Sequence, residues 1–516
     1  MLASRTVLEL KGKPFSFAQL ASIAAGKIEL TADDEAMRRV RAARQVLEDH
    51  IAAGRPVYGA TTGVGAMKDV SWTAADQDLF NFSLVHAHSF GTGETFSPAV
   101  IRSAMAIRIN MALNGHVGVS GELVDIYLAM MRADLVPVVR RTGSIGCADI
   151  GLMGQIGAVL TGAGEVYARG RRMPAELALS QAGIVPMTFA PRDSLASIST
   201  NAIAYAAAAH AIREAAGVFR MALAVGLTSA GALGASRDPW LAASQLDGAC
   251  KAMVGVWLYD NAEVWGWSEA THVQDPLSLR MMAQVFGAAF DGLVAAGHTI
   301  LAATGRTDDN PVVVNGRVLT SGGSLPLDVT LFLQTAQMAI AHVARNGFNR
   351  CVLLGNGGRR GLPVNLVPHG EIATGMGPVI KLAGALFARV LSLASPVSAQ
   401  IMVLADGQED EATFLPLVVE RLEQQVSALR QLAALESVLT AQAIDITGDA
   451  PKGVAKLIYD LVRTRAGFQR ADRPLSQEIG AIESGLAAEA SMAGLLSLAS
   501  LPEIDGFFAL DSSLSS

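Results

Sequence analysis

From Leu195 onward, apolar positions recur along the chain at three- and four-residue steps. Leu415, Val419, Leu422, Val426, Leu429, Leu432 and Leu435 trace one such face, the spacing of a long amphipathic helix. Extended to its polar flanks, that helix is expected over 410–441. Comparable periodicity fills 199–226, 278–303, 327–346 and 376–394. The first half reads differently. Residues 1–55 suggest a strand-and-helix lead-in that ends at a turn around Gly54 and Pro56. Tyr58 to Gly65 is too rich in Gly and Thr for regular helix, and Pro137 to Gly151 is a second irregular stretch. Helical patterning resumes near Ala74 and runs to about Asp134, with glycine breaks. Val312–Val314 and Val318-Leu319, joined by Asn315-Gly316, predict a small hairpin. The expected architecture is mainly α: a long central helix bundle with irregular, Gly-rich loops at its ends. An N-terminal part over 1–200 should carry the active-site loops, and 201–516 should form the bundle.

Composition sharpens this picture. Of 516 residues, 51% are apolar and only 17% charged, which excludes a disordered chain and suggests surface hidden between subunits. The formal net charge of −7 gives no general attraction for nucleic acid or anionic lipid. The longest stretch free of charged residues, Ser194 to Ile212, contains Ser, Thr, Asn and His, so it reads as core rather than membrane span. Charges at Arg5, Glu9, Lys11 and Lys13 leave no apolar signal-peptide segment. Three scattered cysteines, Cys147, Cys250 and Cys351, suit neither a disulfide framework nor a zinc site. A reducing cytoplasm is expected.

Candidate chemistry lies in the loops. Tyr58 sits inside the first of them, where a tyrosine most often only covers an apolar patch. His86 and His88 stand two residues apart before Gly91-Thr-Gly93. Their spacing is not that of helical metal ligands, so no metal is expected. Without a following glycine and a strand, Gly91-Thr-Gly93 is a weak phosphate signal.

Nine landmarks then occur in order. They are Tyr58-Gly-x-x-Thr-Gly-x-Gly65, His88-x-x-Gly-x-Gly93, Pro137-Val-Val, Gly143-Ser-Ile-Gly146, Gln274-Asp-x-x-Ser-Leu-Arg280, Asp309-Asn-Pro311, Ser321-Gly-Gly323, Gly361-Leu-Pro363 and Gln408-Glu-Asp410. Together they resemble the aromatic amino acid ammonia-lyase family, the histidine, phenylalanine and tyrosine ammonia-lyases and related aminomutases, over about residues 55 to 440. The resemblance implies a homotetramer with sites built from several subunits. It also implies an α-amino acid substrate, β-proton abstraction and amine elimination. Tyr58 would be the base, Arg280 the clamp for the substrate carboxylate, and Gln408 and Glu409 neighbours of the amino group. His88 and Ala87 are similar to the histidine-lyase pair at the substrate side chain.

The family makes an electrophile, methylidene-imidazolone, by cyclising Ala-Ser-Gly, and this chain has no such triad. Counting back from Asp149 puts Gly146-Cys147-Ala148 in its place, with Cys147 able to lose sulfide where serine loses water. Counting forward puts Cys147 and Ala148 on the first two positions, one residue short. Alanine in third place crowds the attack that glycine permits. Ser199 stands where the family has Asn, Leu277 where it has a second tyrosine. Arg389 falls where histidine lyases carry a carboxylate for the imidazole. Three readings follow: an ammonia-lyase or aminomutase of altered site; a Cys147-dependent acyl-transfer or hydrolytic enzyme with His86 or His88 as base; and a non-catalytic tetrameric paralogue that binds an amino acid or a partner subunit. Ala87-His88 and Arg389 point to different substrate side chains.

Overall fold

Alanine loses no side-chain entropy on entering a helix, and the alanine-rich stretch after Asn201 forms the helix Ala202–Ala232, buried along nearly its whole length. This is seen in a computed structural model that describes residues 6–73, 75–269, 272–400 and 402–511. Small side chains on every face let other helices approach it closely. Leu415–Thr447 packs along it most extensively, with Pro98–Leu113 and Met282–Ala303 on other sides. Leu327–Asn356 joins Met282–Ala303 and Leu415–Thr447, and Ile380–Leu393 packs on Leu327–Asn356 and Leu415–Thr447. Polar ties fix their register. The buried Arg350 Nε donates to Glu436 Oε1 at 2.6 Å, and Ser229 Oγ donates to the same oxygen at 2.7 Å. Three long helices thereby meet at one carboxylate.

The mainly-α expectation is met, with twenty α-helices and nine short strands among the described residues. The hairpin forms, from Val312–Val314 and Arg317–Leu319. In the lead-in, Thr6–Leu10 and Ile28–Ala32 pair in parallel around the helix Phe17–Ala24. The helix expected from about Ala74, a residue outside those described, begins at Gln77. The expected start at 410 becomes Leu415, because Phe414 takes a left-handed φ of 53° and residues before it form a loop. The helix expected to stop at 346 runs on to Asn356. The stretch 278–303 is divided into Leu277–Arg280 and Met282–Ala303.

Two helical stretches, Asp193–Ala232 and Met282–Ala303, are long and apolar enough to cross a membrane. The most apolar window of the first is 94% buried inside the molecule. Its apolarity belongs to the core. One continuous set of buried apolar residues runs from Leu10 to Ala509.

Candidate active site

Four helices begin around one short segment, residues 146–149. Ile150–Leu160 starts directly after Asp149. Thr413 and Phe414, which lead into Leu415–Thr447, donate their backbone N–H groups to Gly146 and Ile145. Thr200, just ahead of Ala202–Ala232, donates its N–H to the Ala148 carbonyl at 2.8 Å. Ser324, three residues before Leu327–Asn356, accepts from the Ala148 N–H at 3.1 Å. Helix N-termini carry partial positive charge and unpaired N–H groups, so their convergence favours negative charge at this point. Gly146 is required here: a Cβ would lie 2.4 Å from the Leu415 nitrogen and 2.5 Å from that of Phe414.

Beneath the segment lie buried acids. Asp149 accepts from Ser144 Oγ at 2.6 Å and from the Ala204 N–H at 3.3 Å. Burial pushes its carboxyl up to about 7. Asp308 Oδ2 accepts from the Asn201 backbone N–H at 2.8 Å and from Asn201 Nδ2 at 2.9 Å. Burial, reinforced by neighbouring Asp309, raises it to about 6, and its Oδ1 has no partner. Asn201 Nδ2 also donates to the Ser324 carbonyl at 2.9 Å. Asp309 is held in turn by Arg108 and Arg192 at 2.8 and 2.9 Å. Burial lowers the Arg192 guanidinium to about 10.

Above the segment, Tyr58, Cys147 and Glu409 come together in one chain. Tyr58 Oη accepts from the Gly65 N–H at 2.9 Å. Gly65 in turn faces Ala405 of the loop that carries Glu409, and that loop is closed by paired backbone bonds between Leu404 and Glu409. Burial is the largest influence on the Tyr58 phenol and raises it. The Gly65 N–H lowers it, and the nearby Glu409 and Cys147 raise it further. A tyrosine that serves as base needs its phenol tuned downward. This chain alone does the opposite, because burial, reinforced by Glu409 and Cys147, outweighs the Gly65 N–H and Lys68.

The Cys147 thiol is raised first by burial and then by Glu409, Asp149 and Asp308, against a contact with Ser324 Oγ at 3.6 Å. A nucleophilic Cys147 needs a base within hydrogen-bond reach. His88 Nδ1 bonds the Leu84 carbonyl at 2.7 Å, and His86 Nε2 bonds Thr161 Oγ1 at 3.0 Å while its ring stacks on Phe82. Neither imidazole forms the pair.

The other expected site residues are more dispersed. Ser199 is buried beside Thr200, its N–H bonded to Leu195. Gln408 is exposed, next to Glu409. Arg280 ends the short helix Leu277–Arg280, which packs on Leu327–Asn356. Its buried Nε has no partner, and it shares no partner with Tyr58 in one chain. Arg389 is exposed on Ile380–Leu393. The expectation singled out none of Ser324, Asn201, Asp308 and Thr413. Ser324 and Asp308 flank the Ser321-Gly-Gly323 and Asp309-Asn-Pro311 landmarks, which was the available signal.

A methylidene-imidazolone here would need the Ala148 amide nitrogen to attack the Gly146 carbonyl carbon. That amide is committed as a donor to Ser324, and the Gly146 oxygen accepts from Thr413 Oγ1 at 2.7 Å. Ala148 also brings a side chain to a buried position at φ 60°. The residues present do not fit the group.

Residues 15–464 match the family model for aromatic amino acid lyases. A histidine ammonia-lyase of Burkholderia multivorans is 27% identical over 475 residues, 90% of this chain and 94% of that protein. An ergothioneine-degrading enzyme, ergothionase from Treponema denticola, solved with desmethyl-ergothioneine sulfonic acid, superposes with a TM-score of 0.88. It is 26% identical and covers 94% of this chain and 99% of its own. Histidine ammonia-lyase from Trypanosoma cruzi shares the fold, with a TM-score of 0.86 at 22% identity over 98% of each chain.

Proposed function

The chain belongs to the aromatic amino acid lyase family, and we propose that it is a carbon–nitrogen lyase working without methylidene-imidazolone, on a substrate whose nitrogen departs unaided. The observation that carries this reading is Ala148, buried at φ 60° with its N–H donated to Ser324 and a methyl where the family's cyclising triad has glycine, next to Cys147, which neighbours Tyr58 and Glu409. A free α-ammonium group loses an N–H proton to a base far sooner than a carbon proton, and the neutral amine that remains could leave only as an amide anion, a very poor leaving group. A quaternary ammonium has no such proton. It leaves as a neutral tertiary amine, and it also acidifies the neighbouring C–H bonds.

The substrate class is therefore an α-trimethylammonium carboxylate with a planar side chain. Ionised Tyr58 takes the β-proton, the C–H electron pair forms the Cα=Cβ bond, and the C–N pair leaves with the amine. The product is an α,β-unsaturated carboxylate. Glu409 faces the cationic head group, which cannot donate a hydrogen bond and is held by charge alone. The same cation offsets Glu409 at Tyr58 and lowers the phenol toward ionisation, with the Gly65 N–H held on the phenolate oxygen. Arg280 of a neighbouring subunit clamps the carboxylate. The likeness to an ergothioneine-degrading enzyme supports this reading, because ergothioneine carries its nitrogen as trimethylammonium.

The test compares amine release from histidine, phenylalanine and tyrosine with release from their trimethyl betaines and ergothioneine, alongside the intact mass. The expected result is trimethylamine from one or more betaines, no ammonia from free amino acids, and an unmodified chain mass. Ammonia release by a chain lighter by one water and one hydrogen sulfide would refute it.

A further inference from the structure

Midway along Ala202–Ala232, away from the site at its N-terminus, the helix borders a cavity of about 560 Å³. Its other walls come from Leu415–Thr447, the helices Ser476–Ala487 and Glu489–Leu498, and the end of the described chain at Leu510 and Asp511. The volume falls within the range of small-molecule sites. The floor is apolar, with Val218, Met221, Leu486 and Met492. The rim carries both signs of charge: Arg430, ion-paired with Glu214 across the cavity, and Arg213, which donates to the Phe508 and Ala509 carbonyls, near Glu489 and Asp511. Arg213 thereby rivets the C-terminal wall in place.

A second observation points to a ligand. Gly217 lines this cavity in the interior of a 31-residue helix, a position where glycine is destabilising relative to alanine. Two other glycines of the helix are explained by packing: a Cβ on Gly226 would lie 2.8 Å from Met282, and one on Gly231 would lie 2.1 Å from Trp265. A Cβ on Gly217 meets only the Met492 methyl, at an ordinary 3.7 Å. What the missing side chain preserves is the open space.

We propose that this cavity is a second binding site, for a small zwitterion with an apolar or aromatic body, of the amino-acid class. Its carboxylate would meet the arginines of the rim, its ammonium the carboxylates, and its side chain the apolar floor. The cavity and the lyase site share one rigid helix: Ala204, at the active-site end, donates to Asp149. Occupancy therefore bears on the element that supports the lyase loop, as an effector site does.

The probe is L-phenylalanine, titrated calorimetrically into the wild-type protein and into Gly217→Leu, which fills the cavity while improving helix propensity. Phenethylamine and 3-phenylpropanoate each remove one charge. The wild-type protein should show a binding class that Gly217→Leu abolishes, and each single-charge analogue should bind it about tenfold or more weakly, the worth of one charge-assisted hydrogen bond. Any binding confined to the lyase site survives in Gly217→Leu. Met221→Trp, filling the cavity from the same helix, should repeat the loss. The inference is overturned when both folded variants bind L-phenylalanine as the wild-type protein does, or when no binding class responds to them.

Discussion

Tyr58 shows how a residue legible in sequence acquires its chemistry only from neighbours. Its motif marks it as a base, yet burial and Glu409 hold the proton on the phenol. A cation must arrive to release it. Asp308 is the opposite case. The sequence offers only its place beside the Asp309-Asn-Pro311 landmark, because its meaning comes from burial and from Asn201, far away in the chain. Folding raises Asp308 to about 6 and Asp149 to about 7, above the ~3.9 of an unfolded aspartate. The folded state thus holds protons that the unfolded state has released. Their stabilising contribution is complete below about pH 4 and is lost as pH rises through about 6 and about 7. Melting temperatures should accordingly fall between pH 5 and pH 8, by a slope ~RT-scaled to the protons bound. Asp308→Asn should flatten that slope, since an amide supplies one accepting oxygen to Asn201 and places NH₂ where Oδ1 has no partner. At pH 8 the variant should gain up to about 3 kcal/mol, the value of two pKa units. Unchanged pH dependence in denaturant or thermal melts of Asp308→Asn counts against this assignment.

At the scale of elements, each loop that forms the site is an extension of a helix start. Residues 199–201 and 410–414 fall inside the stretches whose pattern suggested helix, but the structure uses them as joints. Apolar periodicity cannot register a backbone turn such as Phe414 at φ 53°. Periodicity also misplaced the end of Leu327–Asn356. Asn346 and Arg350 interrupt the apolar pattern and look like an exposed terminus, whereas Arg350 is buried against Glu436, and bonds Asn346 as well. Polar residues that pair with each other continue a core helix as well as leucines do, and only the partner reveals it. Gly146 is the joint where the lyase loop meets Leu415–Thr447. Gly146→Ala must either take up a strained φ of 79° or push the Phe414 and Leu415 backbone away. It should cost about 3 kcal/mol, combining left-handed strain with overpacking, and should loosen Tyr58 and Glu409 together. Urea unfolding reads the cost, and a variant as stable as wild type would show that the seam yields freely.

For the whole molecule, the long helices are buried toward each other and apolar outward. Leu331, Phe332 and Met338 are exposed on Leu327–Asn356, and Leu382 and Leu391 on Ile380–Leu393. With only 17% charged residues in the chain, these faces suit association with further copies, and a homotetramer is the proposed assembly. Association also solves a problem of the site. In one chain, Tyr58 keeps company with Glu409 and Cys147, while Arg280 sits near Ser278 and Leu327–Asn356 with a buried Nε unpaired. A substrate carboxylate and its β-carbon are too close together to be served by groups so placed unless a second subunit supplies one of them. Two impaired variants, assayed at substrate concentrations well below the KM of Arg280→Lys, then become informative in combination. Tyr58→Phe removes the base and should lower kcat by about 10²–10⁴. Arg280→Lys retains the charge but loses the bidentate fork, so it should raise KM, with weaker binding by ~1.5–3 kcal/mol. Co-expressed in equal amounts, the two variants should regain about one quarter of wild-type sites, those drawing an intact Tyr58 and an intact Arg280 from different chains in a randomly mixed symmetric oligomer. Separately purified and left unmixed, they should show no more than their own residual activities. Co-expressed protein no more active than the average of the two variants would place both residues of a site in the same subunit.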